Sequence, residues 1–140
     1  MLNLDTSTEF GARVARRLAE ERLIWLTTVR ADMVPQPSPV WFLWQDGTFL
    51  IYSKPNTQKL RNIERNTAVS LHFDGDGRGG NIIIFAGAGR IEPQAPPAHQ
   101  VAEYAEKYAE LIKRIGVTAE QFALAYSVPL LVTATGLRGH

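Results

Sequence analysis

Residues 50–80 read LIYSKPNTQKLRNIERNTAVSLHFDGDGRGG, and the hydrophobic period changes twice within them. Leu50 to Ser53 close a β-prone run. From Pro55 the period becomes helical: Leu60 and Ile63 form a short apolar stripe with Asn56 or Thr57 as cap, which predicts a helix of about ten residues. From Ala68 the period returns to two, with Val69, Leu71 and Phe73 on one face and Ser70, His72 and Asp74 on the other. A strand, a short helix and a strand with one wet face therefore succeed one another.

Upstream, Asp46-Gly47 separates VWFLWQ from TFLIYS, the strongest short-range hairpin signal, so these runs are expected to pair. Pro35, Pro37 and Pro39 recur at alternate positions, leaving one side of an extended chain without N–H donors. That side is either an exposed edge or a wall facing something other than a strand. Leu23 to Arg30 is apolar or β-branched on both parities and predicts the first strand. Before it, Thr6 and Glu9 have capping-box spacing, with Phe10, Val14 and Leu18 continuing a helix to about Glu21.

Downstream, GDGRGG is a hairpin loop, and NIIIFAGAGRIE a fifth strand whose Gly87 and Gly89 suggest a bulge or close backbone approach. Pro96-Pro97 is expected to begin a helix bearing Val101, Tyr104, Tyr108, Leu111, Ile112 and Ile115, ended by Gly116. Thr118 and Gln121 cap a short helix to about Tyr126, and VPLLVTATGLR is the sixth strand. Six strands in meander order with helical cover imply a small antiparallel barrel of α+β class, one domain over residues 1–140.

Composition narrows the function. The chain has 15 basic and 14 acidic side chains, 45% apolar residues and no cysteine. Near-neutral charge argues against a nucleic-acid partner, and the lack of a long apolar run argues against a membrane one. No leader pattern is seen, so the expected compartment is the cytoplasm. Thiol chemistry is excluded. Gly75, Gly77 and Gly80 spell G-x-G-x-x-G, but a strand follows rather than a helix, so a dinucleotide fingerprint is rejected. Asp74 and Asp76 imitate a calcium loop whose closing position is Phe85, which cannot ligate. His72, His99 and His140 are scattered, so no metal site is expected. No residue is assigned a catalytic role. If the protein is an enzyme, a bound cofactor brings the chemistry.

The segment that stands out is basic: Lys54, Lys59, Arg61 and Arg65 against Glu64 alone, where a strand ends and a helix begins. A helix N-terminus offers free N–H groups, so Thr57 and Lys59 suit a phosphate, unless the charges are simply a solvated helix face. The hairpin brings this turn near PSPVWF, where an aromatic and a donor-poor backbone could flank a flat heterocycle.

PSPVWF, the D-G hairpin, residues 50–80, the YSVP segment and the terminal LRGH together resemble the FMN-binding pyridoxamine 5′-phosphate oxidase-like split-barrel superfamily, most closely its short members classed as F420-dependent oxidoreductases. The resemblance implies a homodimer with cofactor at the interface, phosphate at the Thr57–Lys59 turn and the ring along Pro39, Val40 and Trp41. Ser53, Lys54 and Arg61 join the implied cofactor set, with Arg65 and Arg78 as weaker members. Arg138 and His140 match an R-x-H substrate clamp of the oxidase, in a different context. Gln58 stands where the oxidase tends to carry arginine, which argues against vitamin oxidation. The implied activity is hydride transfer from a flavin-type cofactor, deazaflavin F420 before FMN, to a small electron-poor acceptor. The alternative is a non-catalytic flavin- or heme-binding module or sensor.

Overall fold

The computed structural model describes residues 2–140. Asp5 accepts from the Thr8 amide, turning residues 5–8 before the first helix, α1 (Glu9–Glu20), begins. The cap is therefore Thr8, whose hydroxyl accepts from Gly11 N–H, and not Thr6 as expected. Val14 and Leu18 lie on the buried face of α1.

The strands are β1 (Ile24–Val29), β2 (Pro35–Val40), β3 (Leu43–Gln45), β4 (Thr48–Ser53), β5 (Ala68–His72), β6 (Ile83–Ile91) and β7 (Val128–Gly139). They form one antiparallel sheet in the order β2-β1-β5-β6-β7-β4-β3, curled as a split barrel. Among the described residues seven strands replace the expected six, because VWFLWQ breaks at Trp41–Phe42. There Phe42 N–H donates to the Tyr108 hydroxyl, and its carbonyl accepts from Tyr108 and from Lys107 Nζ at 2.9 Å. With both backbone groups held by side chains, the chain leaves one ladder and enters another.

The order is also not a meander, a second correction. β7 lies between β4 and β6 and pairs with both, which its twelve residues allow. The β6–β7 register shifts between Ala86 and Gly87, where a Cβ on Gly87 would stand 2.8 Å from the Thr133 carbonyl. The extra residue is Thr135 on β7, and at Gly87 the expected close backbone approach is present. Pro35, Pro37 and Pro39 face Val29, Thr27 and Trp25, and β2 is the outer strand. The donor-poor side thus points away from β1, so β2 is an edge strand, and its Pro37 and Pro39 also border cavities.

Helix α2 (Gln58–Arg65) follows β4, two residues shorter than expected. A single 3₁₀ turn (Ala98–Gln100) delays α3 (Ala102–Arg114), so that helix does not begin at Pro96-Pro97. Gly116 follows α3 at φ 81, and α4 (Ala119–Ala125) carries the full Thr118–Gln121 capping box. One core fills the inside of the curl around Leu26, Leu71, Phe85 and Val132. A second packs Tyr104, Tyr108 and Phe122 against Leu50 and Tyr52. β4 is thus apolar on both parities because it is covered on both faces. The tyrosine stripe finds its cover within the chain, and only Ile115, 56% exposed, falls outside it. Among the described residues no helix is long and apolar enough to cross a membrane.

Lys107 anchors this junction, its ammonium 3.8 Å from the centre of the Phe42 ring. Burial pushes it down to about 8. A lysine so depressed in the fold keeps its ordinary value near 10.5 when unfolded, so the charged form opposes folding, and stability rises as pH climbs from 8 toward 10.5. Wild type minus Lys107→Met, compared by thermal unfolding across that window, should show this rise. A flat difference would mean that Lys107 is solvated.

Candidate cofactor site

At the end of β2 and the β4–α2 turn lies a cavity of about 460 Å³, within the usual range for small-molecule sites. Pro39, Val40 and Trp41 bring one wall from the edge strand, and Ser53, Lys54, Thr57 and Lys59 bring the opposite end. Seven residues singled out from the sequence are therefore brought together. The remaining walls are Tyr52, Tyr104, Phe122 and Tyr126, with Leu23 and Ile115 also lining the space. Those were missed as site residues, since an apolar stripe on α3 carries no sign of which cavity it borders.

The polar end is prepared for an anion. Ser53 Oγ donates to the Lys54 carbonyl, so the hydrogen in the 3.0 Å Ser53–Thr57 contact comes from Thr57. Thr57 is the N-cap of α2 yet makes no capping bond. The amides of Gln58, Lys59 and Leu60 consequently have no acceptor among the described residues. No carboxylate lines the cavity, and neither lysine forms an ion pair among the described residues. Burial pushes the Lys59 ammonium below the usual lysine range, a cost that a bound anion would offset. Lys54 lies 5.4 Å from the centre of the Tyr126 ring. Three free amides and two cations beside an aromatic chamber fit a phosphate-bearing heterocycle.

The aromatic end is rigid. The Trp41 ring stacks on Tyr108 at 4.6 Å and on Phe122 at 5.4 Å. Trp41 therefore bounds the cavity as a wall held by α3 and α4, and does not swing freely over it.

Five expected residues lie outside this cavity. Arg61 donates to the Asn56 carbonyl and to Gln58, while Arg65 sits exposed in the last turn of α2. Arg78 is on the exposed β5–β6 loop, where Asp76 accepts from the amides of Arg78 and Gly80. Arg138 pairs with Ile84, ten residues along β7 from the Val128 that faces Ser53, a distance of ~33 Å at ~3.3 Å per residue. His140 bonds to the Gly79 carbonyl at 3.0 Å. Within one chain the terminal R-x-H motif is therefore remote from the pocket. The histidines are likewise dispersed: none lines the cavity, and His72 stacks on Trp25 across β5 and β1. Among the described residues no cluster of three or more potential metal ligands occurs.

An outer edge strand, the β4–α2 turn and one curled antiparallel sheet define a split-barrel domain. The chain belongs to the pyridoxamine 5′-phosphate oxidase family, whose model matches residues 10–133. Among solved structures it is similar to an F420 reductase at 23% identity and TM-score 0.68, covering 88% of this chain and 94% of that one. An FAD-binding protein from Mesorhizobium loti matches at 17% identity and TM-score 0.63, over 90% and 88%. The heme storage protein HutZ from Vibrio cholerae matches at 16% and 0.61, over 99% and 95%. At such identities these three share the fold. No protein of curated function matches.

Proposed function

We propose that the protein is an oxidoreductase that binds a phosphate-bearing flavin-type cofactor, deazaflavin F420 in preference to FMN, and passes hydride to a small electron-poor acceptor. The observation that carries this reading is the cavity's division into an uncapped, cationic, acid-free end and an aromatic end. Lys59 and the first-turn amides of α2 would hold the phosphate. Pro39, Val40 and Trp41 would border the ring and keep water from one side. When bound, the cofactor supplies hydride chemistry, and the chain supplies orientation. A heme reading fits less well, because no histidine lines the cavity to ligate iron.

Titration of the purified protein with F420, FMN and hemin, followed by absorbance, tests the assignment. Saturable flavin-type binding lost in Lys59→Ala supports it. A Soret band with no flavin binding overturns it.

The partner is proposed to be a second copy of the chain. α3 and α4 cover the outer face of β4, whereas Trp25, Thr27, Ser70, His72 and Ile84 on β1, β5 and β6 stay partly open. A sheet face carrying such residues is ordinarily covered. Sedimentation at micromolar concentration should give twice the mass of the chain, and a monomer would refute the dimer.

A further inference from the structure

We infer that the cofactor's phosphate is a diester and that the chain beyond it enters a second cavity on the other side of the Thr57–Lys59 turn. This inference rests on the cofactor reading above. Thr57 and Lys59 line two cavities at once: the 460 Å³ chamber and a smaller one of about 170 Å³. The smaller is completed by Thr28, Gln36, Pro37, Ser38 and Gln58. A phosphate held by Lys59 would therefore sit between two spaces. FMN ends in a phosphomonoester and would leave the second empty. Deazaflavin F420 continues past its phosphate into an oligoglutamate tail.

The chemistry of the second cavity suits such a tail. Its only charged lining residue is Lys59, and no acid borders it. Ser38 Oγ is buried with no hydrogen-bond partner, the one hydroxyl on its lining left so. Thr28 and Gln58 are occupied by Asn62. Gln36 accepts from Asn62 through its oxygen, which leaves its amide N–H₂ free to donate. The available groups are thus donors, matching the amide carbonyls and carboxylates of a peptide-like tail. Arg61 and Arg65 are exposed on α2 and line neither cavity, and Arg61 already serves Asn56 and Gln58.

Ser38 is outside the larger chamber, so its variants separate the tail from the ring and phosphate. Dissociation constants for FMN and for oligoglutamyl F420 would be measured by fluorescence titration on wild type, Ser38→Val and Ser38→Ala, with thermal midpoints confirming the fold. Valine, which fills the space, should weaken F420 by about tenfold, and alanine, which removes one hydrogen bond, by about threefold, with FMN within about twofold in both. Equal losses for the two ligands, or unchanged F420 affinity in Ser38→Ala, would overturn the second cavity. FMN binding without F420 binding would overturn it while sparing the proposed pocket. Failure of wild type to bind either would remove both.

Discussion

Replacing Lys59 with alanine is expected to weaken cofactor binding by about 1.5–3 kcal/mol, roughly 10- to 150-fold, the scale of a hydrogen bond to a charged group. The residue is half-buried, carries no counter-ion and lines both cavities beside Thr57. Its removal takes the cation away and leaves the three unpaired amides of α2 as the remaining donors. The same variant should fold with equal or greater stability, because a desolvated ammonium disappears. A pH series supplies a second check. The ammonium is the binding form and its pKa is lowered in the free protein, so affinity should decline as pH rises toward 10.5, starting below that value. Anion binding favours the ammonium, so proton uptake should accompany binding in that range. Unchanged affinity in Lys59→Ala, or a pH-independent constant, would move the phosphate elsewhere.

Asn62→Leu is expected to cost about 2–3 kcal/mol of folding stability, because buried polar groups left without partners cost ~1–3 kcal/mol each. Asn62 is 0% exposed on the inner face of α2. Its amide nitrogen donates to Thr28 Oγ1 at 2.9 Å and to Gln36 Oε1 at 3.1 Å, and its oxygen accepts from Gln58 at 2.7 Å. One side chain thereby ties α2 to β1 and β2, the elements that frame both cavities. Leucine keeps the branched four-heavy-atom skeleton and is the larger side chain, so the loss would not report a void. Thr28, itself only 1% exposed, is the stranded partner. Adding Thr28→Val should therefore recover a large part of the stability, since removing both partners is close to neutral. Urea unfolding of the two single variants and the double variant measures the coupling. Additive losses would show that Asn62 and Thr28 do not depend on each other.

These two residues differ in how far they can be read from the chain. Lys59 was visible because charge density and helix position are local: four bases against one acid at a strand-to-helix boundary need no tertiary information. Asn62 was not visible. An asparagine beside Ile63 in a polar helix reads as solvent-facing, and only the approach of β1 and β2 makes it the most buried polar side chain of α2. The break at Trp41–Phe42 was hidden for the same reason, since VWFLWQ is one continuous strand by propensity until Tyr108 and Lys107, more than sixty residues on, take up the Phe42 backbone.

What depends on neighbours along the chain is legible in it: the alternation of β5, the Asp46-Gly47 hairpin, the α4 capping box, the close approach at Gly87 of β6 and the cationic start of α2. Tertiary structure decided what depends on closure. It placed β7 between β4 and β6, covered the tyrosine stripe with the outer face of β4, and set Arg138 and His140 at the far end of β7 from the pocket. It also opened two cavities on one turn. The physical reason is that hydrogen bonding and period act over a few residues, whereas strand order and cavity walls follow from burying two apolar faces at once.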